Sequence, residues 1–115
     1  MDDFGGVLFI IIVIALSVFI IAALWKVFVK AGQPGWGILI PIYNVYLLLM
    51  IAGRPAWWII LYFIPLVNFV VAIIVNIDIA KNFGKDAAFG LGLAFLGFIF
   101  YPILGFGSAT YNKVN

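Results

Sequence analysis

The polar side chains able to do chemistry in this sequence are few, and several sit inside apolar runs. Asn44 and Asn68 each follow a proline by three residues, in "IPIYN" (Ile40 to Asn44) and "IPLVN" (Ile64 to Asn68). Asn76 and Asp78 come a short way farther on. A primary amide both donates and accepts hydrogen bonds, so such a set could hold a polar solute. A carboxylate beside the amides could pass a cation or proton. The competing chemistry is internal. Pro41 and Pro65 each free a carbonyl one turn back and kink or split a helix, and a nearby amide can satisfy that carbonyl. Asp78 also has two readings, because Lys81 at i+3 and Lys85 at i+7 share its helix face and could pair with it at a span end.

Nucleophilic catalysis has little to draw on. The serines are Ser17 and Ser108, and the only threonine is Thr110. Lys113 could approach Ser108, but no oxyanion loop or substrate cleft accompanies the pair, so no catalytic residue and no enzyme activity are expected. Cysteine and histidine are both absent. That removes disulfides, thiolate chemistry and the commonest metal and proton-shuttle ligands, and neither a metal nor a cofactor is expected. The net charge of +2 is scattered, without a basic run, and does not suit nucleic acid.

The elements that must position these residues follow from composition. Of 115 residues, 68% are hydrophobic and 9% charged, too few charges to give a domain of this size a water-facing surface. The solvent is therefore lipid. Uninterrupted runs such as "VLFIIIVIALSVFIIAAL" lack the alternation of a barrel strand and predict helices. The expectation is an all-α polytopic membrane protein, one domain over 1–115. Its four transmembrane helices lie near 7–29, 36–52, 57–80 and 87–106, the second and third broken at Pro41 and Pro65. The acidic start "MDDFGG" and long apolar run argue for a retained first helix rather than a cleaved signal peptide. The second stretch, at 17 residues, reaches only ~25 Å against a hydrocarbon core of ~30 Å. Trp25, Trp36, Trp57 and Trp58 border the connections, as interfacial anchors do. Four crossings put both termini on one side. With that side extracytoplasmic, Lys26, Lys30, Lys81 and Lys85 face the cytoplasm, leaving Arg54 and Lys113 outside.

"AGQPGW" (Ala31 to Trp36) returns as "AGRPAW" (Ala52 to Trp57), each copy followed by its Ile-Pro-x-x-Asn element. A looser echo runs from "FGKDAAF" to "YPILG". With one span between copies, the two units should cross in opposite directions, as an inverted repeat. In the fourth span Ala87, Gly90, Ala94 and Gly97 form one small-residue face that admits another backbone, either the first helix or a second protein.

The motifs "PGW", "IPIYN", "AGRP", "IDIAK" followed by "FGK", and "YPILGFG" carry a resemblance across about Lys30 to Tyr111. The chain resembles a family of small bacterial multi-spanning membrane proteins filed as a domain of unknown function. Similar segments are sometimes labelled signal peptidase I, an enzyme whose soluble catalytic domain has no counterpart here. The resemblance implies a bacterial cytoplasmic membrane and brings no activity or site residues.

Two functions fit these readings. The first is a non-enzymatic structural or accessory subunit of a membrane assembly. It would pack through the Ala87 to Gly97 face against lipid and a further copy of itself or a larger membrane protein. The second is a small solute or ion pathway with Asn44, Asn68, Asn76 and Asp78 at its midplane.

Overall fold

The protein is described by a computed structural model over residues 3–112, and every regular element there is helical. The α-helices are α1 (Asp3–Lys30), α2 (Pro41–Ala52), α3 (Val67–Asn82), α4 (Ala87–Phe95) and α5 (Gly97–Phe106). Two 3-10 segments, Gly35–Leu39 and Ala56–Phe63, lead into α2 and α3. Lys113 lies outside the described residues, so its approach to Ser108 has no structural counterpart.

Three helices stop in the same way. Gly32, Gly53 and Gly84 take φ values of 78°, 83° and 78°, the left-handed region that favours glycine. The next N–H then reaches back five residues: Gln33 to the Phe28 carbonyl (2.8 Å), Arg54 to Leu49 (2.9 Å) and Lys85 to Ala80 (2.8 Å). This bond closes the free carbonyls of each last turn. The echo "FGKDAAF" is thus a structural equivalent of "AGQPGW" and "AGRPAW" at its glycine.

After each stop the chain rises, reverses and returns. The reversals fall at Ile40 (φ −109°, ψ 115°), Ile64 (φ −98°, ψ 118°) and Leu96 (φ −130°, ψ 43°). Each carbonyl then accepts from the N–H four residues on, that of Asn44 (2.8 Å), Asn68 (2.8 Å) and Phe100 (3.0 Å). Pro41 starts α2 at a position that needs no N–H donor. Pro65 lies in the turn before α3, followed by Leu66 at φ 69°.

Three contacts establish that the segments double back. Gly37 lies against the Leu47 side chain. Arg54, before the second 3-10 segment, meets Asp78 near the end of α3. The Phe89 and Phe100 rings of α4 and α5 lie 5.1 Å apart. The ends of the three hairpins are tied together: Asn82 Nδ2 donates to the Ile51 carbonyl (2.8 Å), Tyr111 to the same carbonyl (2.8 Å), and Lys30 Nζ to Leu104 (2.8 Å) and Gly107 (2.9 Å). We call this the basal end.

This geometry corrects four expectations. The stretches 36–52, 57–80 and 87–106 do not run straight from end to end; each contains its own reversal. The two Ile-Pro-x-x-Asn units therefore run in the same sense rather than inverted. The fourth stretch breaks at Leu96, which places Gly97 on a different helix from Ala87, Gly90 and Ala94. Asp3 and Asn112 lie at opposite ends of the molecule, because the chain beyond α5 stays at the basal end, where the Asn112 N–H meets the Asn82 carbonyl (2.6 Å).

The core sits at the basal end, between Val27 and Phe28 of α1, Leu49 and Ile51 of α2, Ile79 of α3 and Leu104 of α5. Phe4 through Phe19 of α1 project beyond it with their side chains exposed. At 1.5 Å per residue α1 is ~42 Å long, whereas α2, α3 and α5 reach ~18, ~24 and ~15 Å.

Candidate functional site

Ten or so ångströms above the basal end, at helical rise, the hairpins stand apart and leave a cavity of 360 Å³ against α1. Its walls are largely apolar, from Ile20 and Leu24 of α1, Leu48 of α2, and Val75 and Ile79 of α3. Four polar side chains also line it, those of Asn44, Tyr62, Asn76 and Tyr101. Most of the lining is half-buried, so the cavity is reached from the surface.

Each polar group is held by local structure. Asn44, one turn into α2, donates from Nδ2 to the Ile38 carbonyl (3.0 Å), a group that the reversal leaves outside the helix. Asn76 Nδ2 donates to the Ala72 carbonyl one turn back (2.7 Å), and its Oδ1 accepts the Tyr101 hydroxyl. That hydroxyl bond joins α3 to α5. The cavity therefore offers amide and phenol groups already oriented by their own partners, on apolar walls. Size and lining match those of pockets for small, mostly apolar molecules bearing a polar group.

The remaining sequence candidates lie elsewhere. Asn68 is exposed at the tip of the second hairpin, where its backbone N–H rather than its amide meets Ile64. Asp78 Oδ2 accepts from Arg54 Nε at 2.5 Å, with side chains 11% and 34% exposed, in place of a pair with Lys81 or Lys85. The Arg54 guanidinium lies over the Trp58 ring, 4.8 Å from its centre, which aims the planar fork at the carboxylate. Asp78 and Asn68 are thus outside the cavity, and the four candidates do not form one polar line.

Of the small residues, Gly90 lies against the Ile77 backbone, so α3 and α4 touch there with no room for a side chain. Gly105 does the same against the Ala23 carbonyl of α1. Ala87 is exposed, Ala94 is half-buried, and Gly97 lines the cavity. Trp25 covers Gly35, Trp36 lies near Tyr43 (5.4 Å between rings), and Trp57 and Trp58 adjoin each other at the foot of the second hairpin.

Sequence reasoning missed Asn82, Tyr62, Tyr101 and Tyr111. Asn82 is fully buried and crosses from α3 to α2; standing before "FGK", it reads as an ordinary turn residue. Burial pushes the Tyr111 phenol above its usual value, and its hydroxyl donates to the Ile51 carbonyl. The available signal was tyrosine within apolar stretches, since a buried hydroxyl needs a partner.

Fold and cavity together define an all-helical protein with, among the described residues, one helix long and apolar enough to cross a membrane, α1, and three helical hairpins bordering a small open cavity beside it. The chain belongs to the family of unknown function DUF5684, which matches residues 36–114. The matched region holds all three hairpins and leaves out α1. No curated protein and no solved structure is significantly similar to the chain.

Proposed function

We propose that this is a non-enzymatic integral membrane protein that binds a small amphipathic molecule between α1 and its hairpins. α1 crosses the bilayer once, and the hairpins enter from the basal end and turn back before reaching the other side. Irregular backbone at that depth is tolerated because its carbonyls find protein partners. Lys26, Lys30, Arg54, Lys81 and Lys85 belong to the basal end, which faces the cytoplasm by the positive-inside rule. On this reading Asp3 lies outside and Asn112 inside, in a bacterial cell membrane.

The observation that carries the binding function is the set of Asn44, Tyr62, Asn76 and Tyr101 on otherwise apolar walls. A continuous ion pathway is disfavoured, since the hairpins of one chain line only part of the bilayer's depth. Photolabelling with diazirine-tagged octanol tests the site. Label should concentrate on cavity residues, and Ala72→Trp, which fills the cavity, should cut it at least fivefold without loss of helicity. Label spread evenly over the apolar surface and indifferent to Ala72→Trp would refute the binding function.

Cysteine labelling in intact membranes tests the arrangement separately. Gln33→Cys, Ala56→Cys and Lys81→Cys should react from one side and Gly6→Cys from the other. Reaction of Ala56→Cys from the side opposite Gln33→Cys would restore a crossing second segment.

A second reading, an accessory subunit of a membrane assembly, draws on the outer half of α1, whose large side chains from Phe4 to Val18 are exposed. A photoreactive residue at Val13 should then crosslink a second copy or a larger membrane protein. Crosslinks to lipid alone would exclude it.

A further inference from the structure

We infer that a cleft beside the foot of α1 is a binding site for an anionic phospholipid, with the phosphate at Lys26 and Lys30 and an acyl chain along the α1 face above them. The sequence shows no polybasic run, and the charge comes instead from two lysines on one face of α1. Lys26 and Lys30 are one turn apart on α1 and line the same cleft. Neither has a carboxylate partner among the described residues: Asp78 is paired with Arg54, and Asp86 accepts the Phe89 N–H at the start of α4. The local charge is therefore positive and unbalanced.

Between Lys26, Lys30 and Gly107 lies a cleft of 460 Å³. Gly105, which seats α5 directly on the Ala23 backbone, and Gly107 form its wall opposite the lysines. Lys30 Nζ uses two of its three N–H groups on the Leu104 and Gly107 carbonyls, which fixes the ammonium and leaves the third for an anion. Lys26 Nζ lies over the Phe106 ring, 5.6 Å from its centre, and aims into the same cleft. Above it, sharing Trp25 and Lys26, runs an apolar groove of 370 Å³ along Val18 and Ile21. A cationic cleft continuous with an apolar groove, at the end of a membrane-length helix, complements one anionic headgroup with one chain. Lysine binds phosphate as a point charge, which suits a phosphodiester without requiring a fixed fork. The site depends on α1 lying in the bilayer and not on what occupies the central cavity.

The test uses the full chain in neutral detergent with added phosphatidylglycerol or phosphatidylcholine, followed by native mass spectrometry. Wild type should retain phosphatidylglycerol at least tenfold better. Lys26→Gln should lower that retention about fivefold, while Lys81→Gln, an exposed lysine of α3 that does not line the cleft, should leave it unchanged. Lys30→Arg keeps the charge and the α5 contact and should bind as wild type. Brominated phosphatidylglycerol should quench fluorescence in wild type more than in Trp25→Phe. Millimolar inorganic phosphate should not displace the lipid. Equal retention of both lipids, displacement by phosphate alone, or equal losses in Lys26→Gln and Lys81→Gln would each overturn the assignment. Circular dichroism and size-exclusion profiles matching wild type establish that each variant is folded.

Discussion

α1 and the three hairpins are built from equally apolar sequence, yet polar side chains are used very differently in the two. Along α1 the helix satisfies its own backbone, and the lone internal hydroxyl, Ser17, simply bonds the Val13 carbonyl one turn back (2.8 Å). In the hairpins amides and phenols meet backbone carbonyls and one another: Asn44 on Ile38 at the first reversal, Asn82 and Tyr111 on Ile51 at the basal end of α2, and Tyr101 on the Asn76 side chain. The difference shows what an interrupted backbone requires in an apolar setting. An uninterrupted helix needs no polar partners, while a folded-back one needs a partner for each exposed carbonyl. The residues matched by the family are those of the second kind.

Several substitutions would break or sharpen this contrast. The largest effect is expected from Gly90→Leu, whose side chain would collide with the Ile77 backbone. It should cost more than ~3 kcal/mol and shift thermal unfolding downward by many degrees. Ala15→Leu, on the exposed part of α1, should change stability by less than ~0.5 kcal/mol in the same measurement. Equal costs would erase the distinction between the two regions. Next comes Asn82→Leu, which leaves the Ile51 carbonyl without its amide donor. We expect a loss of about 1–3 kcal/mol in denaturant titration, with the basal exchange-protected amides opening first. Tyr101→Phe removes one hydroxyl from the cavity and should cost about 1 kcal/mol. Its sharper readout is the labelling pattern of the cavity, which should alter while α1 labelling does not. The smallest effect is Leu66→Gly at the second tip. It relieves a left-handed leucine that is 84% exposed, for a gain of up to ~1 kcal/mol. A loss there would mean that the tip leucine packs on something outside the chain.

Much of this was legible. The helical class, the continuous first helix and the breaks at Pro41 and Pro65 all follow from apolar runs punctuated by residues with known backbone preferences. Gly32 and Gly53 were readable as turn glycines for the same reason. The break at Leu96 was not, because "AFLGF" contains no proline and its reversal is supported by the Phe100 ring lying against Gly92. Half of the cavity's polar set, Asn44 and Asn76, stood out as amides in apolar stretches. Tyr62 and Tyr101 did not, since a tyrosine near a span end reads equally well as an interfacial anchor.

What the sequence determined by itself was local. It set where helices run, where glycine lets them stop and where proline forbids them to continue, because these are properties of a few adjacent dihedral angles. Only the tertiary structure decided that each break is a reversal rather than a kink. That choice rests on contacts 10 to 60 residues apart, Gly37 with Leu47, Arg54 with Asp78, Phe89 with Phe100, Asn82 with Ile51 and Tyr111 with Ile51. A kinked span and a hairpin share the same local pattern. They differ only in which distant carbonyl and carboxylate the polar side chains meet.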